Sequence, residues 1–575
     1  MGTTVDKEIL DKAKLWLSDS YDAETRAEVQ DMIDNNPEAL IESFYKELEF
    51  GTGGMRGVMG AGINRMNKYT LGAATQGLAN YLRSQFEGEI KVAIAYDVRN
   101  NSDVFSKIVA RVLAANGIKV YLFESFRPTP ELSFAVRHLG CKSGIVLTAS
   151  HNPPEYNGFK AYWEDGSQVV PPHDGGIINE VKNVKVEEIK FDPENEDLIE
   201  IIGEDLDKAF VDACVENGQF TTEGYDDFKL VFTPIHGTSH VGVIPTLEKA
   251  GFKNVYTVAE QMIPDGMFPT VKSPNPEEPE ALAMATALAE EKNADMVIGT
   301  DPDGDRIGIA VRDYEGNMRL LNGNQANTVL TMYLLERWKE AGKLTGKEFI
   351  GSTIVTSDIF FEIAKLYGIE CKVGLTGFKW IADMIREAEG KQAFVGGGEE
   401  SFGFMVGDFV RDKDSVTSTL LAAEIGAWAK SKGSSFYNEL IETYTKTGYF
   451  KEHLIALVKK GISGADEIAQ MMVDFRENPP ATIDGSKVVR VDDYGQSVST
   501  NLVTGEKTSI SIPSSNVIIL YTEDGTKVAA RPSGTEPKIK FYIGVKTDLA
   551  RIEDFDEVEA KQQAKIDRVI AELGV

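Results

Sequence analysis

The segment Thr148-Ala149-Ser150-His151-Asn152-Pro153-Pro154, continued by Tyr156-Asn157-Gly158-Phe159-Lys160, sets a serine hydroxyl close to a histidine and a lysine. A serine is a weak nucleophile until a neighbour shifts its proton, and His151 and Lys160 can supply a base or a cation. The apolar run Ser143-Gly144-Ile145-Val146-Leu147 precedes it and reads as a buried strand. Ser150 therefore stands at a strand's carboxyl end, where open α/β sheets place ligands. Two prolines stiffen the turn and Asn152 can cap it, which fixes the direction of the hydroxyl. The plainer reading is a turn that joins a strand to a loop. The fuller one is a serine that carries a phosphoryl group.

A second strand, Ala294-Asp295-Met296-Val297-Ile298-Gly299, runs into Thr300-Asp301-Pro302-Asp303-Gly304-Asp305-Arg306. Three carboxylates at alternate positions cannot be packed singly in a core, because each isolated charge there is heavily penalised. On a tight turn with Pro302 and Gly304 they can instead converge on one hard cation. Oxygen donors without Cys or His suit Mg2+ completed by water and phosphate oxygens. An EF-hand is disfavoured, because it needs a twelve-position ligand run and flanking helices whereas Arg306 and Ile307 begin another apolar strand. A solvated acidic turn is the alternative.

Two further loops suit a sugar phosphate. After the strand Gln392-Ala393-Phe394-Val395, the run Gly396-Gly397-Gly398-Glu399-Glu400-Ser401-Phe402-Gly403 reads as a flexible loop that brings a carboxylate and a hydroxyl against adjacent sugar hydroxyls. Near the C-terminus, Arg531-Pro532-Ser533-Gly534-Thr535-Glu536-Pro537 offers a guanidinium, hydroxyls and loop amides, the groups that grip a phosphate dianion. Each alone is compatible with an ordinary glycine turn.

The four motifs, in this order and at these separations, resemble the α-D-phosphohexomutase superfamily of phosphoglucomutases and phosphomannomutases. Glu49-Phe50-Gly51-Thr52-Gly53-Gly54-Met55-Arg56-Gly57 and Asn64-Arg65-Met66-Asn67 resemble its phosphoglucomutase/phosphopentomutase branch. The resemblance implies a resting phosphate on Ser150, with Mg2+ held by Ser150, Asp301, Asp303 and Asp305 beside Arg306. It implies sugar and phosphate contacts from Arg56, Thr376, Gly377, Lys379, Glu399, Ser401, Arg411, Arg531, Ser533, Gly534 and Thr535. Arg411, Lys413 and Asp414 match a basic R-x-K-D cluster, which makes Lys413 the expected general acid/base with Lys160, His151 and Lys379 as supporting cations. Where many such enzymes have a histidine two positions before the arginine, this chain has Phe409. The activity implied is interconversion of glucose 1-phosphate and glucose 6-phosphate through glucose 1,6-bisphosphate. Pentose or mannose phosphate turnover and synthesis of the bisphosphate are the alternatives.

A chain of 575 residues allows three to five domains at roughly 100 to 200 residues each. Alternating strands and helices recur three times: over 90–147, over 230–299 and over 349–395. Each unit ends in one of the first three motifs, and a smaller strand-rich segment with a charged helix over 551–573 follows. The expected fold is α/β: three similar domains with mixed or parallel sheets, then an α+β domain. The expected bounds are 1–207, 208–322, 323–450 and 451–575. The acidic stretch Glu187 to Asp207 reads as a link, and Pro264 to Pro279 as a long excursion. Ile9, Ala13, Trp16 and Leu17 recur at helical spacing near the N-terminus, as in an amphipathic helix packed on the first domain.

A net charge of -30 disfavours nucleic acid and anionic membranes as partners. Cys141, Cys214 and Cys371 lie far apart without a CxxC pair, as small core residues do. No basic and apolar leader opens the chain, and no apolar run nears the ~20 residues that span a bilayer, so a soluble cytoplasmic protein is expected. Small sugar phosphates are the expected partners; nothing in the sequence sets the oligomeric state. The glycines at 51, 53 and 57 do not form a dinucleotide fingerprint, no GxxxxGK[ST] occurs, and no glutamate follows His236 to make HExxH with His240. A serine phosphatase and a non-catalytic sugar phosphate sensor are the readings from other classes. The intact serine and aspartates argue against the sensor, and the second phosphate-gripping loop argues against the phosphatase.

Overall fold

A computed structural model describes residues 5–51, 53–459, 462–533 and 538–574. Two compact units emerge, one of Met1–Leu321, Ile385–Glu387 and Ser401–Lys432, the other of Asn322–Met384, Ala388–Glu400 and Gly433–Val575.

The first unit holds two mixed sheets. In the first, strands run in the order Gly54–Val58, Tyr156–Trp163, Ser143–Leu147, Lys91–Tyr96, Lys119–Phe123, Ile199–Ile202. The last four are parallel and Tyr156–Trp163 is antiparallel to both its neighbours, so the chain doubles back immediately after Ser150. The second sheet, ordered Met318–Leu320, Ile307–Arg312, Met296–Thr300, Lys229–Thr233, Asn254–Thr257, repeats that device after the aspartates. Strands buried on both faces read as unbroken apolar runs, as Ser143–Leu147 and Met296–Thr300 do. The helix Ser415–Ser431, capped by Asp414, packs on the helices Glu204–Gly218 and His240–Ala250.

One expectation is corrected here. The acidic stretch is more than a link, because Ile199–Ile202 adds an edge strand beside Lys119–Phe123, with Glu200 paired to Lys119 at 2.6 Å. Its apolar run, Leu198-Ile199-Glu200-Ile201-Ile202, is short and flanked by acids, which hides it in the sequence.

The N-terminal extension forms three helices rather than one: Lys7–Leu15, Ala23–Asn35 and Pro37–Phe44, capped by Asp6, Asp22 and Asn36. Ile9 and Ala13 lie on the first helix. Trp16 follows its end yet is buried, edge-on to Phe44 and Tyr69. This cluster also takes in Ala61 and Phe191, which ties the extension to the first sheet's helical layer.

In the second unit, Glu370–Gly374, Glu348–Thr353 and Ala393–Glu399 run parallel. An antiparallel sheet follows, ordered Tyr449–Val458, Lys538–Thr547, Lys527–Pro532, Ile518–Thr522, Ser486–Asp493, Val498–Asn501, Lys507–Ser509. Ile354, Val355 and Leu375 pack with Val517, Ile519 and Tyr542 into one core between them. The charged C-terminal helix runs Phe555–Leu573.

Among the described residues no helix is long and apolar enough to cross a membrane. Cys141 and Cys214 are buried and Cys371 is partly so.

Candidate active site

Ser150 lies three residues past the strand Ser143–Leu147 with a positive φ of 52°, unusual for a residue with a Cβ. Its hydroxyl donates to Asp301 Oδ2 at 2.7 Å and lies 3.2 Å from His151 Nδ1. Its amide donates to Thr148 Oγ1 at 2.8 Å. This hydrogen bond brings together the serine and aspartate loops, 151 residues apart in sequence.

The aspartates converge although all three are buried, and one oxygen from each lies within 4.8 Å of the other two. The turn is held from several sides. Asp301 Oδ1 accepts the amides of Asp305 and Arg306 at 3.1 and 3.0 Å, and Gly304 takes φ 66° where a Cβ would stand 2.8 Å from Pro128 Cβ. The loop after the strand Lys229–Thr233 braces it further, with Thr238 N donating to Pro302 O at 2.9 Å. In that loop His236 lies between Ile263 O and Thr270 Oγ1, both 2.8 Å away, a structural placement.

Lysines supply the counter-charge. Lys160 Nζ is 2.7 Å from Asp303 and 3.4 Å from Asp305, and Lys413 Nζ is 3.1 Å from Asp305 and 3.2 Å from Asp412. Arg306 bonds Glu277 at 2.8 Å and the Ser401 carbonyl at 3.0 Å. Burial pushes Asp303 upward, but Lys160 and Lys413 outweigh it and hold this carboxyl well below its usual range. Asp301 has no such lysine, so burial and then Asp303 and Asp305 drive it well above that range. Asp303 Oδ1 and Asp305 Oδ1 are buried yet accept no hydrogen bond. Unpartnered buried carboxylate oxygens in such a cluster, with a third carboxyl short of positive charge, fit a hard divalent cation.

His151 departs from expectation. Burial, then Arg306 and Arg56, pushes the imidazole down to about 3, so it is neutral at physiological pH and not a supporting cation. Arg56 donates to Asn152 Oδ1 at 2.9 Å. Arg411 is 1% exposed, its amide donating to Ser133 Oγ and its guanidinium to the Asp408 carbonyl, which braces its own loop. Phe409 packs among Phe134 and Phe210 rather than among the titrating groups.

The remaining expected residues belong to the second unit. The run Gly396–Glu399 is not a flexible loop, because the strand Ala393–Glu399 continues through it. A Cβ on Gly397 would stand 2.2 Å from the Gly351 carbonyl, so glycine serves close strand packing here. The Glu399 carbonyl accepts from Asn327, and the Glu400 carboxylate from Thr356 Oγ1 at 2.8 Å. Tyr542 joins these glutamates to Arg531. Burial and then Glu400 push its hydroxyl up to about 12, which keeps it protonated, while Arg531 opposes the rise. Thr376 Oγ1 is buried without a partner, Gly377 has φ 113°, and Lys379 lies over the Trp380 ring. Ser533 is exposed at the end of the strand Lys527–Pro532. Thr52, Gly534 and Thr535 lie outside the described residues.

Sequence reasoning missed Asp97, Arg99, Thr129 and Glu277. Thr129 Oγ1 donates to Asp303 at 3.1 Å, and Asp97 accepts from Thr148 at 2.7 Å. Asp97 and Arg99 follow a buried strand at its carboxyl end, a signal shared with Ser150.

The family described as phosphoglucomutase/phosphomannomutase matches in all three of its alpha/beta/alpha domains: domain I over residues 47–188, domain II over 208–316 and domain III over 322–444. The chain belongs to the phosphoglucomutase/phosphomannomutase family. Among family members, a Staphylococcus epidermidis phosphoglucomutase is 37% identical over 536 residues, covering 90% of this chain and 96% of that protein. A Staphylococcus aureus phosphoglucomutase is 38% identical over 532 residues, covering 91% and 93%. Two solved structures share the family fold. A Paramecium pp63/parafusin phosphoglucomutase in an open form has TM-score 0.65 at 18% identity, covering 91% of this chain and 96% of that one. A phosphoglucomutase/phosphomannomutase family protein from Burkholderia thailandensis has TM-score 0.64 at 19%, with the same coverage. Family membership makes the chain a phosphoryl-transferring mutase of the superfamily that its motifs resemble.

Proposed function

We propose that this protein is a phosphoglucomutase that interconverts glucose 1-phosphate and glucose 6-phosphate through a phosphate on Ser150 and a glucose 1,6-bisphosphate intermediate. The observation that carries it is Ser150 Oγ 2.7 Å from Asp301, in a buried cluster whose Asp303 Oδ1 and Asp305 Oδ1 accept no hydrogen bond. The relatives named phosphoglucomutase support the hexose reading.

Asp301, Asp303 and Asp305 would hold Mg2+ together with the Ser150 phosphate. When bound, the ion supplies charge that offsets the phosphoryl oxygens, the main lever in this reaction. The chain's own residues do the rest. Arg306, fixed by Glu277, faces the transferring group. In the first transfer the Ser150 Oγ–P bond breaks as a bond forms from phosphorus to the sugar hydroxyl, whose proton must leave. Lys413 is assigned to that proton exchange, and Lys160 keeps Asp303 ionised. His151, neutral, hydrogen-bonds Ser150 Oγ. In the second transfer the other phosphate of the bisphosphate returns to Ser150, and its own O–P bond breaks. Recognition is assigned to Glu399 and Ser401 for hydroxyls, and to Arg531, Ser533, Gly534 and Thr535 for phosphate, with Thr376, Gly377, Lys379 and Arg56 as further contacts. A small sugar phosphate is the partner that this assignment requires.

Incubation with glucose 1-phosphate and Mg2+ tests the reading. Glucose 6-phosphate supports it; free phosphate means a phosphatase, and unchanged substrate means a sensor. Priming with glucose 1,6-bisphosphate should abolish any lag, because it loads Ser150.

A further inference from the structure

The main chain around Ser150 is gripped by one buried guanidinium. Arg99, three residues past the strand Lys91–Tyr96, is 2% exposed. Its Nη1 donates to the carbonyls of Pro153 and Tyr156 at 2.8 and 3.2 Å, and its Nη2 to those of Ser150 and Asn152, both at 2.5 Å. Four carbonyls of the serine loop thus converge on one side chain. Arg99 Nε lies 3.3 Å from Asp97 Oδ2, which also accepts from Thr148 Oγ1 at 2.7 Å. Thr148 Oγ1 in turn accepts the Ser150 amide. The path from Arg99 through Asp97 and Thr148 to the Ser150 amide, and from the Ser150 carbonyl back to Arg99, closes a ring around the residue with positive φ.

The guanidinium is also covered. Phe268, on the proline-rich excursion, is 1% exposed, and its ring centre is 5.2 Å from Arg99 Cζ. Its own φ is 49°. The excursion therefore serves both ends of the chemistry, stacking Phe268 on Arg99 and pairing Glu277 with Arg306.

We propose that Arg99, backed by Phe268, is a positioning residue that holds Ser150 in its left-handed conformation and so aims the serine phosphate in both transfers. The proposal rests on the phosphoglucomutase reading. A planar fork can serve four carbonyls at once, whereas an ammonium with three donors on a flexible stem cannot keep that arrangement. A reacting group displaced by about 1 Å loses roughly a hundredfold in rate with little change in substrate affinity.

The test is steady-state kinetics of the full chain with glucose 1-phosphate, beside mass measurement of the Ser150 phosphate after loading with glucose 1,6-bisphosphate. Arg99→Lys is expected to lower kcat about 100-fold and to leave KM within about twofold, with slower loading of the serine. Phe268→Leu is expected to lower kcat about fivefold, again at unchanged KM; if Arg99→Lys does not fold, this variant decides. A kcat within twofold of wild type, with only the melting temperature lowered, overturns the positioning role, and so does a raised KM at unchanged kcat. The wild type run in parallel separates the failures: an inactive wild type overturns the function and the proposal together, whereas an active wild type matched by its variants overturns the proposal alone.

Discussion

The residues proposed for transfer, in the first unit, and most of those proposed for recognition, in the second, are built differently. Around Ser150 the polar groups are buried and cross-linked: Asp301 bonds the serine and two amides, Asp303 takes Lys160 and Thr129, and Asp305 takes Lys160 and Lys413. In the second unit Glu399 is buried, but Arg531 is half-buried and Ser533 is exposed, at the end of the strand Lys527–Pro532. Phosphoryl transfer gains from charge fixed before the reaction starts, because dipoles already in place need no reorganisation. Recognition needs side chains that a ligand can still reach.

The sharpest way to break this contrast is to remove the carrier. Ser150→Ala should lose at least about 10^4-fold in mutase turnover, since the variant lacks the proposed carrier hydroxyl. Intact mass should show no phosphate on the variant and a partial phosphate on the wild type. A phosphorylated or active Ser150→Ala protein would place the carrier elsewhere.

Next in size is the cation site. Asp303→Asn should lower kcat by about 10^2 to 10^3 and move KM little, because the carboxylate acts on the transition state rather than on the sugar. Chelation should silence the wild type and Mg2+ should restore it. Full turnover after exhaustive chelation would refute the metal role.

Recognition should respond more gently. The carboxylate and hydroxyl of Glu399 and Ser401 suit a pair of equatorial hydroxyls. Deoxyribose 1-phosphate leaves groups unpaired at about 1 to 3 kcal/mol each, so its kcat/KM should fall roughly ten- to hundredfold below that of glucose 1-phosphate. Mannose 1-phosphate, altered at one centre, should lie between. A pentose preference would move this protein to the phosphopentomutase branch.

The smallest effect concerns Asp414, which caps the helix Ser415–Ser431 from a fully buried position. Burial pushes its carboxyl up to about 6 against the hydrogen bonds from Thr417 and Val416. An acid raised on folding favours the folded state most while protonated, so its contribution falls as pH climbs from about 4 to 6 and stays low above that. Asp414→Asn carries no such titration. Its deficit relative to wild type should therefore be smaller at pH 7 than at pH 5, by about 1 kcal/mol in urea unfolding. A deficit that grows with pH would show that the folded carboxylate is stabilised rather than penalised.

Periodicity and motif order made the α/β repeats, the serine and aspartate loops and their strand-end placement legible in the chain itself. These are local properties: a buried strand reads as an apolar run, and a carboxylate triplet with Pro302 and Gly304 reads as a turn. Glycine misled at Gly396 to Gly398, because composition does not separate a glycine needed for mobility from one needed for the close approach to Gly351. Histidine misled at His151, whose neutrality comes from burial and from Arg306 and Arg56, all set by folding. Nothing in their spacing could join Ser150 to Asp301, set Phe268 on Arg99 or pair Glu277 with Arg306. The sequence by itself determined which residues could carry phosphoryl chemistry and on which elements they stand. Only the tertiary structure decided which of them meet, because hydrogen bonds and ion pairs act over a few ångströms between loops far apart along the chain.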